Sequence, residues 1–155
     1  MAKLCFEIDV RAPLEQVFAL ITNLRAYDTW LAGSTAFHGT TTISDGPIRV
    51  GTSYVEPGPF AVRHGRVIEL VPPTRVAFEQ PMTLRPGFFG VVGIQLACDL
   101  IQVADFVRVR RSLDLTFHGP VKLARAVIIR LFKDENERTL DALKSFAERQ
   151  VQTTD

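Results

Sequence analysis

The stretch "GPVKLARAVIIRLFKDENERTLDALKSFAERQ", Gly119 to Gln150, reads as one long helix closing a chain that is otherwise strand-rich. Ala124, Ile128, Phe132, Asn136, Leu140, Leu143, Ala147 and Val151 recur at spacings of three and four, and Val121, Val127 and Leu131 widen the stripe. That stripe needs a large apolar partner. At about 1.5 Å per residue the helix is roughly 45 Å long, more than twice a typical strand, so a sheet covering it has to curl around it. A curved sheet gripping a helix leaves a space between the two.

The two halves of this helix differ. From Leu140 to Val151 an ordinary stripe faces charged residues, which predicts tight packing on the sheet, and "KDENER" (Lys133 to Arg138) then interrupts the pattern with Asn136 in an apolar position. Between Leu123 and Phe132, the residues Val127, Ile128, Ile129, Leu131 and Phe132 cover most of the circumference. Such a helix is either buried all round or exposed to an apolar ligand.

Toward the N-terminus, Leu4, Phe6, Ile8 and Val10 alternate with Lys3, Cys5, Glu7 and Asp9, which predicts a half-buried strand. Pro13 opens a short amphipathic helix to Thr22, carried by Leu14, Val17, Phe18 and Ile21, and Asn23 is placed to cap a second, "NLRAYDTW". From Ser34 onward helical periodicity is lost. Six strand-sized pieces follow: "TAFHGTTTI", "GTSYVEP", "VRHGRVIEL", "RVAFEQ", "GVVGIQLACDL" and "DFVRVRRSLDLTF". Turns at "SDGP" and "VPPTR" separate some of them, and such short connections favour antiparallel pairing. The expected architecture is α+β, one antiparallel sheet in a single domain over residues 1–155.

Of the 155 residues 46% are apolar and 23% charged, an ordinary globular composition, and the net charge is +1, so no overall field draws the chain to nucleic acid. Glu7 and Asp9 break any apolar leader in "MAKLCFEIDV", which points to a cytoplasmic protein. Cys5 and Cys98 match neither a zinc nor a CxxC spacing and read as small apolar residues. The three histidines form no metal spacing, and there is no GxSxG, Walker or dinucleotide fingerprint; no metal and no cofactor are expected.

The order strand, two short helices, run of strands, long helix resembles the START-like (SRPBCC) superfamily in its polyketide cyclase/dehydrase-like branch. The resemblance is carried by "FEIDVRAPLEQVFALITNLRAYDTW", "GTSY", "VIELVPPTRVAFE" and "TLDALKSFAE", and spans nearly the whole chain. It implies a helix-grip fold whose cavity takes a lipid, polyketide, quinone or similar hydrophobic molecule. It supplies no catalytic motif, because members of this superfamily share none.

The residues nominate the polar groups of such a cavity. Val107, Val109, Arg111, Leu113, Leu115 and Phe117 share one face of a strand, so Arg111 needs a carboxylate inside the protein or an anionic or carbonyl group on a ligand. Tyr54, alternating with Ser53 and Val55, presents a hydroxyl that can orient a carbonyl. Trp30 is assigned by the resemblance to the cavity wall or entrance. His64 is a candidate proton-transfer group, and Val127, Ile128 and Leu131 are the candidate apolar lining. Glu79 and Asp99 fall opposite apolar faces and are expected in solvent, which argues against a paired-carboxylate site. The adjacent Phe88 and Phe89 in "LRPGFFGVVG" form a lid or a contact for a membrane or partner, and Arg108, Arg110, Lys122, Arg125 and Arg130 form a basic group. Binding of a hydrophobic small molecule is the leading function; a cyclase or dehydratase acting in the same cavity is the alternative.

Overall fold

A computed structural model describes residues 1–34 and 37–154. Its elements are β1 (Ala2–Val10), α1 (Leu14–Thr22), a 3-10 helix (Leu24–Thr29), β2 (Ser53–Glu56), β3 (Ala61–Val71), β4 (Arg75–Glu79) and β5 (Met82–Leu84). A 3-10 turn (Gly87–Phe89), β6 (Val91–Val103), β7 (Phe106–His118), a further 3-10 helix (Pro120–Ala124) and α2 (Arg125–Thr154) complete the chain. The seven strands form one antiparallel sheet in the order β1-β7-β6-β4-β3-β2, with β5 bridging β3 and β6. This is the expected α+β helix-grip arrangement, with the concave face of the sheet against α2.

The period-two faces predicted for β1 and β7 are the ones observed. Val107, Val109, Leu113 and Leu115 are buried on the concave side while Arg108 and Arg110 pair outward with Asp9 and Glu7 of β1. On β3 the inward set is Arg63, Gly65 and Val67; a register shift between Val67 and Glu69 then brings Leu70 toward the core. Tyr54 stands opposite Gly65, and a Cβ there would lie 2.1 Å from the Tyr54 ring, so the ring rests directly on the bare backbone.

Three expectations need correction. The segment "TAFHGTTTI" is not a strand: Thr35 and Ala36 lie outside the described residues, and of the rest only Thr41 bridges, to Val55. Positive φ at Gly39 and Thr42 breaks the extended backbone on both sides of that bridge. Asn23 makes no side-chain capping hydrogen bond, and the segment after it is 3-10 rather than α. The short β5 has no counterpart among the predicted strands, being only three residues long.

Helix α2 divides as its sequence does. Asn136, Leu140, Leu143 and Ala147 are at most 4% exposed, whereas Val127 and Leu131 are 63% and 56% exposed, and Leu123 in the 3-10 helix that leads into α2 is 94% exposed. The upper half is therefore not a helix buried all round; it lifts away from the sheet. Leu143→Ala should cost about 2–5 kcal/mol and Leu131→Ala no more than about 0.5–1 kcal/mol, measured by denaturant unfolding. Equal losses would mean that the upper half is packed after all.

Candidate functional site

Between the sheet and α2 lie two adjoining spaces. The inner one, about 80 Å³, is walled by Trp30, Tyr27, Tyr54, Cys98, Arg111 and Asn136 among others. The outer one, about 500 Å³, is bounded by Pro57 to Ala61, Met82 and Leu84 on one side and by Ile128, Leu131 and Phe132 of α2 on the other. Glu56, Arg63, Phe132 and Glu135 line both spaces and so form the boundary between them. The outer chamber is mainly apolar; the inner one is where the polar groups converge.

The two residues that were out of place in their apolar patterns meet each other. Arg111 Nε donates to Asn136 Oδ1 at 2.6 Å, and Asn136 Nδ2 donates to the Phe132 carbonyl at 2.7 Å. Arg111 makes no ion pair among the described residues, so its charge is answered inside the cavity by an amide dipole rather than by a carboxylate. Its field reaches the Tyr27 and Tyr54 hydroxyls and the Cys98 thiol, which burial pushes up and Arg111 draws back down.

Tyr54 is 2% exposed and accepts a hydrogen bond from Gln80 Nε2, which leaves its own O–H free to donate. Tyr27 donates to the Ile21 carbonyl and meets Trp30 edge-on, ring centroids 5.3 Å apart. Trp30 Nε1 is buried with no acceptor among the described residues. A buried N–H of this kind is costly, and its position in the wall makes it a ready donor to a bound oxygen.

The boundary is ionic. Arg63 Nε donates to Glu56 Oε2 at 2.7 Å, with the two side chains 15% and 7% exposed. Glu56 and Arg63 are register partners on β2 and β3, so strand pairing alone brings them together. Glu135 accepts from Arg138 and from Ser34 Oγ; burial alone would raise its pKa, but these donors and nearby Arg63 hold it below the usual carboxylate range.

Trp30, Tyr54 and Arg111 thus share the inner chamber, while Ile128 and Leu131 line the outer one. His64 is exposed on the outer face of β3, and Val127 is largely exposed; neither lines either chamber. Glu79 and Asp99 are half-exposed on the outer side of the sheet, paired with Arg66 and Arg75, and line neither chamber. Glu56, Arg63 and Glu135 were missed. Glu56 was legible, being two residues from Tyr54 on the same strand face; Arg63 was masked by a strand with no cleanly apolar side. No group of His, Cys, Asp and Glu suited to a metal is found among the described residues.

Curved sheet, gripped helix and a two-part cavity define a helix-grip protein of the START-like superfamily. The family described as "Polyketide cyclase / dehydrase and lipid transport" matches residues 1–148, and the chain belongs to it. Among solved structures it is similar to the Zhui aromatase/cyclase of Streptomyces sp. R1128, with a TM-score of 0.75 and 15% identity, over 97% of this chain and 95% of that one. Norcoclaurine synthase of Thalictrum flavum superposes with a TM-score of 0.71 and 15% identity, over 96% and 95% of the two chains. Protein Mll3558 of Rhizobium loti gives 0.70 and 17%, over 93% and 95%. At these identities the likeness is one of fold. No curated protein matches the sequence.

Both tyrosines of the chain have their hydroxyls inside the protein, and burial raises both above the ordinary value. The folded state therefore holds these protons more tightly than the unfolded one; the resulting stability is complete below about pH 10 and is lost as pH rises beyond it. Absorbance at 295 nm should stay flat past about pH 10 and rise together with loss of the far-ultraviolet circular dichroism. Tyrosinate appearing in a still-folded protein would show an open hydroxyl.

Proposed function

We propose that this protein binds a hydrophobic small molecule, with its apolar body in the outer chamber and an oxygen-bearing end, carbonyl or carboxylate, in the inner one. The observation that carries this reading is the convergence of Arg111, the Tyr54 hydroxyl and the unpartnered Trp30 Nε1 on one small space behind an apolar one. A half-buried cation facing an amide, with two donors beside it, stabilises an oxygen more than it would a methyl group. The inner space holds only a few heavy atoms, so the bulk of the ligand stays outside the Glu56–Arg63 boundary. Free cysteines and the absence of a disulfide requirement fit work in the cytoplasm.

A cyclase or dehydratase is the second reading, favoured by the family and by the placement of Glu56 near Tyr54. Arg111 and Tyr54 would polarise a carbonyl while the outer chamber holds the rest of the chain folded for reaction. Both buried tyrosines stay protonated at neutral pH, so Tyr54 would act as a hydrogen-bond donor and not as a base.

Trp30 is the sole tryptophan and sits in the wall, so its fluorescence reports occupancy directly. Native mass spectrometry of freshly purified protein should show a mass excess that is lost on denaturation. Decanoate or 1-naphthoate should shift Trp30 emission, and Arg111→Leu should weaken that binding about ten- to a hundred-fold, the worth of a charged hydrogen bond. Ile128→Phe, which narrows the mouth without adding a second indole, should weaken it too. No mass excess together with no response to either probe would overturn the binding reading.

A further inference from the structure

Around the mouth of the outer chamber three segments come together. Arg85 N donates to the Phe60 carbonyl at 2.8 Å, Leu84 N donates to the Gly90 carbonyl at 3.1 Å, and Gly90 packs against Gly119 at the start of the helical segment. This end carries Phe60, Phe88, Leu123, Val127 and Leu131, exposed by 68%, 71%, 94%, 63% and 56%, with Phe88 stacked on the half-exposed Phe89. Apolar exposure on this scale, gathered at one end, is unusual for a surface in contact with water alone.

The charges at this end are one-sided. Residues 57–62, 81–92 and 118–133 contain Arg85, Lys122, Arg125, Arg130 and Lys133 and no Asp or Glu. They hold +5 of a chain whose total is +1, so the remainder carries −4. All five side chains are exposed; Arg130 faces Asp134 only at 4.0 Å, and Arg125 reaches the Met1 carbonyl. The acidic groups that line the outer chamber, Glu56, Asp134 and Glu135, already face Arg63, Arg130 and Arg138, and Glu56 and Glu135 lie at its inner border.

From this juxtaposition we infer that the end of the molecule around the mouth docks on an anionic lipid surface, with the phenylalanines and leucines entering the interface and the five cations contacting headgroups. A second copy of the chain is a poor occupant, because self-association through this face would bring two +5 surfaces together. The apolar side chains protrude from three separate segments around the mouth, which suits a deformable bilayer. The mouth opens on the same face, so a hydrophobic ligand can pass between bilayer and cavity without crossing water. That last step rests on the ligand-binding reading; docking itself does not.

The test is flotation of the purified protein with phosphatidylcholine vesicles, with and without phosphatidylserine, at low and high salt. Association with the anionic vesicles, falling as salt rises, is expected. Lys122→Glu with Lys133→Glu should weaken it by well over ten-fold, since each cation near such a surface is worth about five-fold. Phe88→Ser with Phe89→Ser should weaken it by about ten-fold or more, and Arg149→Glu, at the far end of α2, should leave it nearly unchanged. No binding to anionic vesicles, or equal loss with Arg149→Glu, overturns the proposal. So does a lipid-free dimer that Phe88→Ser with Phe89→Ser dissociates. Trp30 fluorescence with decanoate reads ligand binding separately, so the failure of one reading is distinguishable from failure of the other.

Discussion

A guanidinium placed on the concave face of a sheet has to be answered, and the hydrogen bond from Arg111 to Asn136 is how this fold answers it. Left alone, a charge in that position would be costly enough to favour another arrangement of the strand. The amide on α2 fixes the height and rotation of the helix over β7. Below that point Leu140, Leu143 and Ala147 pack down in the ordinary way; above it the helix departs from the sheet and the chambers open. One polar contact therefore marks the division between the part of the molecule that is core and the part that is cavity.

The chemistry on the two sides of that division is different in kind. The inner chamber is rich in donors with fixed positions, supplied by strands and by a buried indole. The outer one is shaped by loops and by aliphatic residues of α2, and asks only for apolar bulk. Between them the Glu56–Arg63 pair is nearly dry, so its separation or bypass by a ligand carries a desolvation cost that a wet surface pair would not. A cavity so built discriminates on the terminal group of its ligand more strongly than on the body.

Much of this was legible in the chain. The long helix, its two unlike halves, the concave face of β7 and the convergence of Trp30, Tyr54 and Arg111 follow from periodicity and from resemblance, because burial imposes regular spacing on long elements. What escaped was short or non-periodic. The three residues of β5 are too few to show a period, and the threonine-rich "TTT" has strand composition without strand geometry, since Gly39 and Thr42 turn the backbone around a single bridge. Glu56 and Arg63 were hidden for another reason: each charge suggests solvent when read singly, and only strand register shows that they neutralise each other inside. Val127 and Leu131 look alike in a helical stripe, yet only Leu131 lines the mouth, a distinction set by which way the helix leans and not by residue type.

Gly65 never touches the inner chamber, but it supports the ring that floors it. Any side chain there would clash with the Tyr54 ring, displace it and reshape the space it bounds. The reach of the cavity is thus governed from the layer beneath its lining, and the chain could come to accept a shorter or longer cargo without altering a single residue that meets it.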